Sequence, residues 1–516
     1  MTKSDSCSQR RQGHKSLSKC LGPLGAGAMN NRRGFLILLA LAASVGEAWG
    51  QCAGDVSTPG GAANCTGRST PPPGITASID SNHSYTLAEL IDIAEHNNPR
   101  TRIAWERAKQ KADQLGIERS AYYPILAGVA TFAGQRSIEP FPKPLAPLGY
   151  ITVEAALVQP EITLQYLLFD SGKRKANVDA ATAETLAAGA NFIQTNQDVA
   201  FQVASAYYKL LTAQERLQAT KDTLNTAQTT QDAAEAQLRN GRSTLPDVLN
   251  ARAETSQAVF DEESADGDQR ISRVELRNAI GVEPSPEIAI DGQKSEPLPQ
   301  LLVLSIEELV ERALADRPDL LAQAAEIRAA DSAIRVAKAE YGPRMSFSGA
   351  AAQTSLWPTA SYGQLGAANK PTWSAAFDIE WRIFDGGARK HRLMEAESRR
   401  REAGDDMTDK QDHATREVWS SYIAFRTAIR KEQAAVALLE SANASYSANL
   451  DAYQYGVKNL VDVVTAEKQL ALARLSGVSA RSELFLQAVN LEFVTGNLLR
   501  SRPRATKPQT QGGSKP

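Results

Sequence analysis

Trp373-Ser374-Ala375-Ala376-Phe377-Asp378-Ile379-Glu380-Trp381-Arg382-Ile383-Phe384-Asp385-Gly386-Gly387 carries two signals in one run. Trp373, Phe377, Ile379, Trp381 and Ile383 interleave with Ser374, Asp378, Glu380 and Arg382. That period of two belongs to a strand with one apolar and one polar face. Met345, Phe347 and Gly349, set against Ser346, Ser348 and Ala350, supply a partner strand over 343–357. At Phe384-Asp385-Gly386-Gly387 the alternation stops. Residues 387–455 contain no proline and read as one helix, about 100 Å long at 1.5 Å per residue. It ends at Tyr455-Gly456, where positive φ is easily reached. A second helix returns over 459–495, with Leu460, Val463, Val464, Leu470, Leu475 and Val478 at coiled-coil-like spacing.

The same order occurs upstream. Phe169-Asp170-Ser171-Gly172 matches Phe384-Asp385-Gly386-Gly387 at an offset of 215, and Gly241 and Asp247 match Gly456 and Asp462 at that offset. Leu276-Arg277-Asn278-Ala279-Ile280-Gly281 matches Leu491-Glu492-Phe493-Val494-Thr495-Gly496. Earlier, Thr86 with Glu89 precedes Asn98-Pro99, and Ser305 with Glu308 precedes Arg317-Pro318, at an offset of 219. Ser or Thr followed three residues on by Glu is the capping-box signature. A helix of about 20 residues follows each box, ending before Pro124 or Pro343. A fixed offset with one four-residue shift marks two homologous halves, 83–282 and 303–497, joined by a Pro-rich linker, 283–302. The first half offers strands at Ile125–Gln135 and Ile162–Phe169. Pro140, Pro142, Pro144, Pro147 and Pro160, and in the second half Pro358 and Pro371, are expected in exposed loops between strands. Each half is thus a strand pair plus a long helical hairpin, giving four strands per chain.

The 516 residues have a net charge of −2, with +5 on residues 1–50 and −7 on the rest. That balance excludes a generally basic nucleic-acid binder. Aromatics are only 6% and mean hydropathy is −0.34, a composition of long helices packed through small side chains. Arg32-Arg33, an apolar run over 34–43, and Ala48-Trp49-Gly50 follow one another in the order of a secretory signal peptide. Residues 1–50 therefore read as an upstream extension plus signal peptide, with Met29 a candidate start. Residues 51–82 read as a flexible leader and 498–516 as a disordered tail. Cys52 and Cys65 can pair in an oxidising compartment or stay free thiols in that leader. Gln51 in place of a small residue disfavours lipidation of Cys52.

No run of about 20 apolar residues occurs in the body of the chain, so no membrane-spanning helix is expected there. Four strands are too few to close a membrane barrel of eight or more, so several chains must contribute. Trp357, Trp373, Trp381 and Phe384 suit the aromatic girdles of such a barrel. The helices are too charged for a bilayer and must project into the periplasm.

The duplicated capping box with Asn98-Pro99 and Arg317-Pro318, the two Phe-Asp strand exits and the two Gly…Asp tips resemble the TolC-like outer membrane channel proteins of tripartite efflux pumps and type I secretion systems. The resemblance covers about 80–500. It implies a mixed α/β membrane protein: a homotrimer with a 12-stranded β-barrel continued by a long periplasmic α-helical barrel of coiled-coil hairpins. It also implies docking onto a periplasmic adaptor protein and an inner-membrane pump of the RND or ABC class. The absence of a well-formed lipidation site places it nearer the secretion-type and non-lipidated members.

The candidate site is the pair of hairpin tips, 240–247 and 455–462, which residue types alone also allow as plain polar-capped turns. By resemblance Asp247, Tyr453, Lys458 and Asp462 form the periplasmic entrance and its gate. Thr465 stands where the family has a second acid, and Pro246 where it has a hydroxyl residue. Gly241, Arg242, Gly456 and Val457 form the adaptor-docking tips. Three-fold symmetry would gather Asp462 and Asp247 around one axis, where like charges disfavour full ionisation and attract cations. No catalytic grouping, cofactor motif or metal-ligand spacing stands out: His391 and His413 have no second histidine at i+4, and Leu167 breaks the phosphate-loop spacing before Ser171-Gly172-Lys173. Arg399-Arg400-Arg401 reads as a solvated helix face. The competing reading is a periplasmic coiled-coil scaffold with no pore.

Overall fold

The computed structural model describes residues 83–143, 146–283, 288–291, 305–361, 363–496 and 498–499. The expected signal peptide, Cys52, Cys65 and residues 500–516 lie outside them, whereas Leu498, expected to begin the tail, is buried in the main core. The first half runs β1 (Ser84–Tyr85), α1 (Leu87–Asn97), α2 (Pro99–Ser120), β2 (Ile125–Pro140), β3 (Tyr150–Phe169), α3 (Lys173–Arg239) and α4 (Leu245–Ile280). The second runs β4 (Ala289–Ile290), α5 (Ile306–Asp316), α6 (Pro318–Ala339), β5 (Arg344–Ala360), β6 (Gly363–Gln364), β7 (Ala368–Glu380), α7 (Ala388–Gln454) and α8 (Leu460–Val494).

Local chemistry sets the helix starts. Thr86 N–H donates to Glu89 Oε2 at 2.8 Å, and Ser305 N–H donates to Glu308 Oε2 at 3.0 Å. Each acid answers an orphan amide of the first turn. Pro99 and Pro318 then open α2 and α6, where a missing N–H costs nothing. At the strand exits Asp170 Oδ2 accepts from Arg174 N–H at 2.6 Å, and Asp385 Oδ2 from Arg389 N–H at 3.1 Å. The two guanidiniums lie over Tyr122 and Tyr341, 5.3 and 5.1 Å from the ring centroids.

Helices α3 and α7 are 67 residues each. Between them α6 and α8 stack end to end: α6 packs on both long helices, and so does α8. Arg317, at the start of α6, joins the stack by donating to Val494 O at 3.4 Å. On the outer side of α3, α2 stacks on α4, with Asn98 Nδ2 donating to Ala279 O at 2.9 Å. The main core sits at this mid-length level, where Leu90 and Ala94 of α1 wedge against Val199, Val203 and Leu210 of α3 and Leu276 of α4. A smaller core repeats the wedge, with Leu309 and Ala313 of α5 against Val418 and Phe425 of α7. The linker is partly fixed: β4 pairs in parallel with β1, and Ile288 and Ile290 are buried in the main core.

The strands form one antiparallel sheet in the order β2-β3-β5-β7, with β6 a two-residue extension on β5. Both halves therefore share a sheet through β3 and β5. The register assigns its two faces. Leu126, Leu164, Gly349 and Ala375 lie abreast, as do Tyr166, Phe347 and Phe377, and Ile162, Ala351 and Trp373. The opposite face carries Gln165, Ser348 and Ala376 abreast, then Thr163, Ala350 and Ser374, then Glu161, Ala352 and Thr372. At these levels one face is apolar across all four strands; the other is mostly polar on β3, β5 and β7, while β2 carries Ile125, Ala127 and Val129 there.

Two expectations are corrected. Pro140, Pro160, Pro358 and Pro371 lie in strands, which extend to 16, 20, 17 and 13 residues. A proline removes one ladder donor, and the neighbouring bonds carry each strand past it. Trp381, Arg382, Ile383 and Phe384 alternate in sequence but lie beyond β7. There Trp381 Nε1 donates to Tyr341 O at 3.0 Å, turning the chain toward α7.

Candidate entrance at the hairpin tips

Both hairpins turn by the same backbone device. Gly241 N–H donates to Leu238 O at 3.0 Å and Arg242 N–H to Gln237 O at 2.9 Å; Gly456 N–H donates to Tyr453 O at 2.9 Å and Val457 N–H to Ala452 O at 2.9 Å. These are Schellman turns, which satisfy the last carbonyls of the long helix. Their pivots, Gly241 at φ 66° and Gly456 at φ 78°, occupy the left-handed region that other residues enter only under strain. The side chains of Arg242 and Val457 are exposed beyond the turns.

The returning helices are capped differently. On α4, Asp247 Oδ2 accepts from Thr244 N–H at 2.9 Å, Thr244 Oγ1 at 2.7 Å and Ser243 Oγ at 3.0 Å. The Thr244 hydroxyl and amide hold the Asp247 carboxyl below the usual aspartate range, with burial opposing and Ser243 assisting. Within the chain Asp247 is the acid of a capping box. On α8, Asn459 Oδ1 accepts from Asp462 N–H at 2.9 Å, which leaves the Asp462 carboxylate outward, 3.8 Å from Lys458 Nζ. That pair is solvent-exposed and contributes about 0–1 kcal/mol. Thr465 is exposed, its hydroxyl donating to Val461 O at 2.7 Å.

Tyr453 faces inward. It is buried with Ala234, Val248, Ala251, Leu460 and Val463, and its hydroxyl finds no hydrogen-bond partner among the described residues. No hydrogen bond or ion pair among those residues joins Tyr453 or Asp247 to the Lys458–Asp462 pair. The two tips are linked by Gln237 Nε2, which donates to Gln454 O at 3.0 Å. Around the turns Leu245, Leu249, Tyr455, Val457 and Val461 expose apolar side chains.

Sequence reading missed one residue close by. Glu467 on α8 is buried, between apolar layers above and below it. Its signal is its place in the stripe Leu460, Val463, Glu467, Leu470, whose spacings of three, four and three are those of a coiled-coil core.

The profile described as "Outer membrane efflux protein" matches residues 90–282 and 309–497. The chain belongs to the outer membrane efflux protein family. Among its relatives, Protein CyaE of Bordetella pertussis is 28% identical over 434 residues, spanning 84% of this chain and 87% of that protein. Outer membrane protein OprJ of Pseudomonas aeruginosa is 26% identical, spanning 78% and 82%. A crystal structure of a membrane protein from Pseudomonas aeruginosa superposes with a TM-score of 0.67 at 26% identity, over 80% of this chain and 92% of that one. The family fixes the chain in the outer membrane with its helices on the periplasmic side, and its members are transport channels rather than enzymes.

Proposed function

We propose that the chain forms a passive, homotrimeric export duct, in which three copies complete a 12-stranded barrel continued by a tube of helices through the periplasm. The observation that carries this reading is the sheet: four long strands with one face apolar at mid-length, the other mostly polar on β3, β5 and β7, ending in two unpaired edges at β2 and β7. Strands of 13–20 residues exceed the roughly 9–11 that cross a bilayer. Free edges are satisfied when β7 of one copy pairs with β2 of the next, because closure removes edges altogether. The apolar face then meets lipid and the polar face lines water.

The halves 83–282 and 303–497 act as two copies of one unit in this duct. The apolar tips dock a periplasmic adaptor, and through it an inner-membrane pump of the RND or ABC class, in a tripartite efflux or type I secretion assembly. Asp462, repeated three times, lines the entrance and favours cations, and Lys458 pairs with it to help hold the tips closed.

The test is the mass of the detergent-solubilised protein and its conductance in planar bilayers. A trimer with discrete single-channel steps is expected. Recovery as a soluble periplasmic monomer would sink the duct in favour of a scaffold.

A further inference from the structure

The two hairpins of the chain meet where α8 packs on α3, and one residue of that seam breaks its pattern. Leu460 and Val463 are buried with Ala234 and Val248 on the tip side, and Leu470 with Ala442 and Ala473 on the far side. Glu467 lies between these two apolar layers. It is 6% exposed, and its Oε2 has no hydrogen-bond partner. A polar group at a core position of a coiled coil weakens the seam while fixing its register.

The groups around it compensate the charge only in part. From α3 comes the Thr230 hydroxyl, which hydrogen-bonds the Glu467 carboxyl and lies 3.3 Å from the Tyr446 hydroxyl of α7. From α4 comes Glu254, which binds Lys468 of α8 at 2.8 Å and so engages the nearest ammonium. Arg474 of α8 donates to Thr226 and Thr223 of α3 at 3.2 and 3.4 Å. Glu467 itself makes no ion pair among the described residues. A carboxylate taken from water without a cation is strongly disfavoured, whereas the neutral acid is tolerated.

We propose that Glu467 is a gate-positioning residue, whose protonated form lets α8 seat against α3 with the tips closed and whose ionised form loosens that seam. The proposal rests on the duct reading. Burial pushes the Glu467 carboxyl up, Glu254 adds to the rise, and Thr230, Lys468 and Arg474 oppose it. The sign follows: closure is firmest below the ordinary value of 4.5 and weakens as pH rises from there through the elevated one. The released proton passes to water as the hairpins part.

The experiment uses the full-length protein in detergent and the variants Glu467→Gln and Glu467→Asp. Hydrogen exchange is followed over 223–238 and 460–474 from pH 5 to 9, relative to unstructured rates. Wild-type protection is expected to fall with pH, by no more than about tenfold per pH unit, the limit for one proton. Glu467→Gln, the same shape without the charge, should flatten that slope, and Glu467→Asp should restore it. In planar bilayers, opening should rise with pH for the wild type and stay level for Glu467→Gln. Equal slopes in wild type and Glu467→Gln overturn the assignment of Glu467. A wild type that never conducts overturns the duct and the gate role with it, whatever the exchange shows.

Discussion

Replacing Asp247 by Asn tests whether the acid at the first tip belongs to a helix cap or to a ring of free charge. Three donors converge on Oδ2, from the Thr244 amide, the Thr244 hydroxyl and the Ser243 hydroxyl, at 2.7–3.0 Å. Losing a helix N-terminal cap costs about 0.5–2 kcal/mol. At an exposed tip the lower half of that range applies, about 0.5–1 kcal/mol, or roughly a two- to fivefold increase in opening of the first turn of α4. Hydrogen exchange of amides 244–249 at pH 7, in the full-length protein, should show that loss of protection. A carboxyl held low in the folded state contributes stability above its ordinary value, near 3.8, and loses it as pH falls through the folded one. Wild-type protection should therefore drop to the variant's level in acid, while the variant's stays constant. Equal protection in the two proteins at pH 7 would refute the cap.

Asp462→Asn should weaken block by multivalent cations in planar bilayers more than Asp247→Asn does, because only the Asp462 carboxylate is turned outward; equal effects would return Asp247 to the entrance ring. Phe377→Lys, on the apolar face beside Phe347, should destabilise the assembled barrel by about 2–4 kcal/mol at mid-membrane depth, whereas Ser374→Lys on the polar face should leave the heat resistance of the oligomer nearly unchanged. Arg317→Ala should cost roughly 2–4 kcal/mol in thermal unfolding, since the side chain is 13% exposed and leaves Asp319 and Glu417, 2.8 and 2.6 Å away, without their cation. Arg317→Lys should recover only part of that loss, lacking the fork that reaches both carboxylates.

Thr86 and Glu89, Ser305 and Glu308, Gly241 and Gly456, and the proline-free runs of the two long helices determined the helices by themselves. Caps, left-handed turns and the lack of a helix breaker act over a few residues, so neighbouring letters suffice to read them. The duplication then gave the order of elements twice over. The strands were legible only where their alternation was clean. Pro160, Pro358 and Pro371 hid their true length, because proline's cost depends on whether flanking bonds survive, which is set by the partner strand. Tertiary structure alone decided which strand neighbours which. The pairing of β3 with β5 joins residues nearly 200 apart in sequence, and no local propensity specifies so distant a partner. The tips divide in the same way. Their turns were written in Gly241 and Gly456, but the roles of Asp247, Tyr453 and Glu467 depend on what each side chain meets in space: a capping threonine for the first, and an apolar seam between helices for the other two.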